Sequence, residues 1–323
     1  MGIKAKSKIL VTGGKGFLGR VVCRKLKASG YSNVIDLPGS RAPMSLDLTR
    51  YVDVAHLFNY HKPDIVVHLA ARVGGIGANK ENPGRFFYDN MAMGLNLIEE
   101  ARKHNCEKFL LTSTVCSYPK FTPVPFKESD IWNGYPEETN APYGVAKKAL
   151  MEMLQAYRNQ YGMNGVTLIP VNMYGPGDNF DPNSSHVIPA LILKFKQAIA
   201  NNDKEVVVWG SGKASREFLY VDDCAEAIVT AVEKYNDPYP VNIGTGKEIT
   251  IEKLVGLIAE LVGFNGSIVF DTSKPDGQPR RCLDTQMAES YFGFEASTDL
   301  HDGLKRTIEW FDESNLLDSY TGC

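Results

Sequence analysis

The chain has 323 residues, 43% of them hydrophobic and 23% charged, with a net charge of −3. That length exceeds one ordinary domain and suits two joined ones. The charge balance argues against a nucleic-acid-binding face, and no apolar run reaches membrane-spanning length.

The N-terminal MGIKAKSKILVTGG is basic, but only Ile9, Leu10 and Val11 follow in an apolar row, so no signal-peptide core is expected. Gly2 would suit N-myristoylation, yet Lys6 stands where that motif needs Ser or Thr. Next, KILVTG (8–13) reads as a strand that turns through glycines into a helix, FLGRVVCRKLKAS (17–29). NVIDL (33–37) and DIVVHLA (64–70) read as strands, 84–104 as a helix, and KFLLTS (108–113) as a strand. A Pro-rich loop leads to a helix, YGVAKKALMEMLQAYRNQYG (143–162), and then to a strand, GVTLIPV (165–171). Continuously apolar strands alternating with helices predict an α/β fold, a doubly wound parallel sheet covered on both faces. After about residue 173 the texture turns short and mixed, with strands expected at VVVWGSG (206–212) and REFLYVDD (216–223). The expected division is a dinucleotide domain over 1–172 and a smaller mixed α/β substrate domain over 173–323. Residues near 218–248 return to the first.

Chemistry concentrates at a few points. Gly13, Gly16 and Gly19 form G-x-x-G-x-x-G between a strand and a helix. There glycine lets backbone approach a pyrophosphate, and the helix N-terminus favours its charge. Asp36, at the end of the second strand, suits the ribose hydroxyl of NAD, whereas Lys15, Arg20 and Arg41 suit the extra phosphate of NADP. Asp47 reads either as an adenine contact or as a loop acid. Tyr143 and Lys147 stand at i and i+4 on one helix face. The ammonium is expected to lower the tyrosine pKa and make Tyr143 a proton donor to a carbonyl. Six cysteines, at 23, 106, 116, 224, 282 and 323, form no C-x-x-C pair. That scatter predicts neither a zinc site nor a redox pair, and a reducing, cytosolic location. His56, His61, His68, His104 and His301 show no metal-ligand spacing. Alone, a cysteine at a strand end such as Cys116 is ordinarily a small buried residue, and a histidine in a loop such as His186 is ordinarily solvated.

TGGKGFLG, the YGVAK pair, and Thr114 four residues before Tyr118 together resemble the extended short-chain dehydrogenase/reductase family. The blocks RVGGIGANKENPGRFFYDNM, VCSYPK, YGPGDNFDPNSSHVIPALI, VVVWGSGKASREFLYVDD and KPDGQPRR are similar to its GDP-L-fucose synthase branch, from the glycine turn to about residue 290. The resemblance implies a Rossmann domain and a nicotinamide cofactor, NADPH with NADH possible. It implies a GDP-sugar substrate, GDP-4-keto-6-deoxy-D-mannose, epimerised at C3 and C5 and reduced at C4. Cys116 would be the base, His186 the acid on the opposite face, and Thr114 with Tyr143 the pair that polarises the C4 oxygen. Lys147 would bond the cofactor ribose. The implied cofactor cleft takes in Phe17, Leu18, Leu48, Leu69, Ala70 and Ala71, and further along Thr112, Pro170, Asn172, Met173 and His186. Arg216 would clamp the diphosphate, Trp209 stack on guanine or sugar, and Lys194, Arg280 or Arg281 reach a phosphate. Cys23, Cys106, Cys224, Cys282 and Cys323 match no functional position. Thr114 replaces the branch's usual serine, which preserves the working oxygen. Asp36 and the extra PGSRAP stretch leave the cofactor open. The resemblance also implies a homodimer, paired through two helices of the Rossmann domain. The alternatives are a GDP-4-keto-6-deoxy-heptose reductase, a nucleotide-sugar epimerase with tightly held NAD, and a non-catalytic dinucleotide sensor.

Overall fold

The computed structural model describes residues 6–37, 46–74, 76–182, 184–274 and 276–317. Gly2, the PGSRAP stretch with Arg41, and Cys323 lie outside the described residues. In chain order the elements are β1 (Lys8–Thr12), α1 (Phe17–Ala28), β2 (Asn33–Asp36), α2 (Tyr51–His61), β3 (Ile65–His68), α3 (Ile76–Glu81), α4 (Pro83–Lys103), β4 (Lys108–Thr112), α5 (Ala141–Tyr161) and β5 (Gly165–Pro170). There follow β6 (Asn172–Tyr174), α6 (Val187–Ala200), β7 (Glu205–Trp209), β8 (Ser215–Tyr220), α7 (Val221–Lys234), β9 (Val241–Ile243), β10 (Glu248–Thr250), α8 (Ile251–Val262), β11 (Ser267–Asp271), α9 (Gln286–Phe292) and α10 (Leu300–Glu313).

Six strands form one parallel sheet in the order β2-β1-β3-β4-β5-β9. Its inner strands are buried along nearly their whole length, which is why they read as unbroken apolar runs. The chain goes from β1 to β2 on one side and then crosses to β3 on the other. The direction of winding therefore reverses between β1 and β3, opening a crevice at their C-terminal ends. Register Leu10↔Val66 and Val66↔Phe109 aligns those ends. Among the described residues, no helix is long and apolar enough to cross a membrane.

Helix α5 buries Tyr143, Ala146, Lys147, Leu150, Met151 and Leu154, a stripe at helical spacing, and stops at Gly162 in the left-handed conformation (φ 69°). Helix α7 lies against α1, with ion pairs Arg24–Asp222 (2.5 Å) and Lys25–Glu226 (2.9 Å). The Lys108 ammonium, buried at the start of β4, donates to the carbonyls of Ala231 (3.3 Å), Val232 (2.5 Å) and Tyr235 (2.9 Å) at the end of α7. It thereby satisfies orphan carbonyls at the negative end of the helix.

A second core gathers Tyr174, Ile192, Phe195, Val208, Phe218, Leu254, Ile258, Leu304 and Phe311 between α6, α8, α10 and two small sheets, β10-β8-β6 and β11-β7. The first core takes in Leu219 to Ile243 and also Leu283, Ala288, Phe292 and Phe294. REFLYVDD is not one strand as expected. β8 stops at Tyr220, and Asp222 and Asp223 open α7, where the helix dipole favours acids.

Candidate active site

The glycine turn follows from steric demand. Gly13 has φ +71°, and a Cβ there would press on the Ala70 nitrogen at 3.1 Å. A Cβ at Gly19, in the first turn of α1, would collide with the Gly13 carbonyl oxygen. The Gly16 N–H donates to that carbonyl (2.9 Å), and Gly16 caps α1 without a side chain over its N-terminus. Backbone donors and the positive helix end are thus left for an anion. The Thr12 hydroxyl accepts the Ala70 N–H (3.2 Å) and lies 2.8 Å from His68 Nδ1, stitching the ends of β1 and β3. Burial holds His68 well below the ordinary imidazole pKa, so the ring is neutral. Phe17 and Leu18 follow on α1, and Leu69, Ala70 and Ala71 follow β3, around the crevice. Asp36 ends β2, exposed. Arg20 is tied to the Gly177 carbonyl (3.1 Å). Asp47 closes its own turn, accepting the Thr49 N–H (3.0 Å) and hydroxyl (2.7 Å), and these bonds lower its pKa. Leu48 is buried and its carbonyl accepts from Asn96 (3.0 Å).

At the end of β4 the Thr112 hydroxyl is buried without a protein partner. Lys147 Nζ donates to the Thr112 carbonyl (3.0 Å). An anion-ready helix end and an unpaired hydroxyl beside an ammonium, both at strand ends, fit a dinucleotide along the crevice. Pro170 ends β5, and Asn172 and Met173 open β6 beyond it.

Thr114 caps a short 3-10 turn over Val115–Ser117, its hydroxyl accepting the Cys116 N–H at 3.2 Å. The Ser117 hydroxyl donates to the Gly144 carbonyl (3.2 Å), and a Cβ at Gly144 would collide with the Cys116 carbonyl oxygen. That close approach sets Cys116 beside Tyr143, which is hydrogen-bonded to Thr114. The tyrosine pKa is not lowered as expected. Burial raises it above the ordinary phenol value, the Cys116 sulfur adds to the rise, and the Thr114 bond only partly opposes them. Burial also pulls Lys147 down to about 8. Desolvation is the leading cause of both shifts, because both side chains are shielded from water. The result keeps Tyr143 as a phenol, the form that donates a proton.

Cys116 faces two cations. Arg281 Nη1 donates to its sulfur at 3.7 Å. Arg216, on β8, senses both Arg281 and the sulfur, and burial with the Arg281 charge lowers its pKa to about 10. Arg216 donates to the Ser215 carbonyl (2.7 Å) and the Asp276 carbonyl (3.1 Å). Arg281 rides on a strap, residues 276–284, that joins both halves of the molecule. Asp276 accepts the Ser211 N–H (2.6 Å) and hydroxyl (2.7 Å), and the Pro279 carbonyl accepts the Ser215 N–H (2.9 Å). The Cys282 carbonyl accepts the Phe126 N–H (2.8 Å), and Gln278 donates to the Lys120 carbonyl (2.9 Å).

Of the other expected ligands, Arg280 pairs with Glu248 and is exposed. Arg281, not Arg280, reaches the sulfur. Lys194 donates to the Val207 carbonyl (2.8 Å). Trp209, 69% exposed, ends β7 with the Lys274 ammonium 5.5 Å over its ring. His186 is the N-cap residue of α6 with no side-chain cap bond. Surrounding protein lowers its pKa below the ordinary imidazole value, although the residue keeps an exposed face. On the loop before it, Asp178 Oδ2 and Ser185 Oγ are buried without protein partners, and burial lifts Asp178 to about 7. Among the described residues, no group of three or more His, Cys, Asp or Glu side chains converges as a metal site.

The model of the NAD dependent epimerase/dehydratase family matches residues 9–244. The chain belongs to that family. Within it, the chain is 43% identical over 312 residues to the putative GDP-L-fucose synthase 2 of Arabidopsis thaliana, covering 97% of this chain and 94% of the relative. A solved GDP-L-fucose synthetase of Naegleria fowleri bound to NADP has a TM-score of 0.88 at 27% identity, covering 97% of this chain and 96% of that one. A GDP-6-OMe-4-keto-L-xylo-heptose reductase from C. jejuni has a TM-score of 0.88 at 29% identity, covering 98% and 100%. The Rossmann-type α/β fold read from the sequence is that of these epimerase/dehydratase relatives.

For this family member, sequence reasoning missed the contact between Arg281 and Cys116 and the strap that makes it. The signal was PDGQPRR, a Pro-bounded extended run with two adjacent arginines. It overlooked Glu217 as well, a wholly buried acid beside Arg216 on β8.

Proposed function

We propose that this protein converts GDP-4-keto-6-deoxy-D-mannose to GDP-L-fucose, inverting C3 and C5 and reducing C4 with NADPH. The observation that carries the reading is a thiol that accepts from the Arg281 guanidinium, on the turn capped by Thr114 and beside Tyr143 of α5. A simple 4-reductase needs Thr114, Tyr143 and Lys147 and has no use for the thiol. Full-length similarity to the Arabidopsis relative and to the NADP-bound Naegleria enzyme supports it.

Arg216 and Arg281 would hold the GDP diphosphate, with Trp209 against the base. The ketone at C4 acidifies the protons at C3 and C5. At each centre Cys116 takes the proton from one face and His186 gives one from the other, and both reset by proton exchange with solvent between the two inversions. Thr114 and Tyr143 hold the developing negative oxygen at C4. NADPH supplies the hydride that C4 receives. Tyr143, held as a phenol by burial, then gives its proton to the C4 oxygen, and Lys147 orders the ribose side of the cleft. Division into a cofactor half and a substrate half follows the two hydrophobic cores. Exposed Phe87, Tyr88 and Leu95 on α4 support a homodimer through α4 and α5, and the scattered cysteines support a cytosolic location.

The test is the reaction followed by NMR in D2O, wild type beside Cys116→Ser. The expected outcome is GDP-L-fucose carrying deuterium at C3 and C5, with exchange lost in the variant. NADPH oxidation without exchange would make the protein a 4-reductase and Cys116 a packing residue. No turnover with this sugar, and turnover with the corresponding heptose, would move it towards the C. jejuni reductase.

A further inference from the structure

Glu217 lies on β8 next to Arg216, wholly shielded from solvent, and no step above uses it. Its carboxylate accepts three backbone N–H groups. Oε1 takes those of Thr245 (2.5 Å) and Gly246 (2.8 Å), and Oε2 takes that of Leu283 (2.7 Å). A buried carboxylate is tolerated when hydrogen bonds replace its water, and three main-chain donors do so here. They come from two separate segments, the turn after β9 and the end of the strap. The turn fits closely round the acid, since a Cβ at Gly244 would collide with Oε1.

Both guanidiniums of the site hang on this arrangement. Leu283, held by Oε2, is two residues from Arg281, which donates to the Cys116 sulfur. Arg216 is the neighbour of Glu217 on β8 and donates to the Asp276 carbonyl at the other end of the strap. Three N–H donors are a demanding set for a role in packing alone. An apolar residue would fill the same volume but leave them all unpaired.

We propose that Glu217 is the positioning residue of this site, holding Arg216 and Arg281 in register with Cys116 through the main chain of the strap. It touches neither substrate nor cofactor. The inference rests on the proposed GDP-sugar reading for its ligand and on this geometry for its residues.

The test is titration with GDP alone of wild type, Glu217→Gln, Arg281→Ala and the double variant, with NADPH titration and thermal unfolding alongside. Gln offers one acceptor oxygen where Glu offers two, so one set of donors is left facing an NH2. The expected result is a cooperatively folded Glu217→Gln protein with unchanged NADPH affinity and GDP affinity reduced on the order of 10-fold. The double variant should lose less than the product of the two single losses, because the two residues act in one network. Glu217→Asp, one methylene short, should recover part of the affinity. The proposal is overturned if Glu217→Gln lowers the unfolding temperature while GDP binds as to wild type. It is also overturned if the two losses multiply in full. If Glu217→Gln does not fold, Glu217→Asp takes its place in the cycle, and failure of both to fold makes the acid purely structural. Wild type that binds GDP but does not turn over GDP-4-keto-6-deoxy-D-mannose sinks the functional reading and leaves this cycle valid. Wild type that binds no GDP sinks both.

Discussion

On the proposed reading, Lys147 sets the alkaline limit of the site. Burial brings its pKa down to about 8, so the ammonium that would order the cleft is present below that pH and lost above it. At saturating NADPH, kcat should fall as pH rises through about 8. A profile that stays flat into the ordinary lysine range, about 10, would remove Lys147 from the reductive step. Stability should move the other way. The folded pKa lies below that of the unfolded chain, so the unfolded chain binds the extra proton between about 8 and about 10.4. The Lys147 contribution to stability therefore rises with pH across that window. Tyr143 carries the opposite lesson. Its place four residues before Lys147 was legible in the sequence, but the direction of its pKa was not. Spacing gives the neighbour, while burial is decided by everything else packed around the ring.

At the scale of elements, the meeting of α5 with the turn at Cys116 depends on the absence of one side chain. Gly144→Ala should push the Cys116 carbonyl away, at a cost of about 1–3 kcal/mol in unfolding free energy. The loss of deuterium exchange at C3 and C5 should be larger than that destabilisation accounts for. Unchanged exchange in the variant would show that the turn tolerates displacement. Lys108→Ala should cost about 2 kcal/mol or more by stripping the end of α7 of its buried donor, read as a lower urea midpoint, with the kinetics of the folded protein intact. The strands of the large sheet were legible because burial on both faces leaves an unbroken apolar run. The end of β8 was not, because Val221 carries the apolar pattern past Tyr220 into α7. The choice between Arg280 and Arg281 was equally hidden, since it turns on which way the strap faces.

On the scale of the whole molecule, the first core is closed from segments far apart in the chain, and Asn242 on β9 ties three of them together. Its side chain accepts from Tyr118 (2.7 Å) and donates to the carbonyls of Phe126 (2.9 Å) and Asp284 (3.0 Å). Asn242→Ala leaves those buried groups unpaired and should lower unfolding free energy by about 3 kcal/mol, read as a lower urea midpoint. An unchanged midpoint would show that the join matters less than its bonds suggest. The wide spread of the first core along the chain also has a consequence for how the protein is made. The partner strand for β5, β9, comes some 70 residues later, and Phe292 and Phe294 later still. A polypeptide leaving the ribosome therefore carries an unfinished parallel sheet, with β5 as a bare edge, until about 70 more residues have emerged, and an unfinished core until about 120 have. At roughly 5–20 residues per second that interval is on the order of ten seconds, long enough for an exposed apolar edge to need shelter by a chaperone.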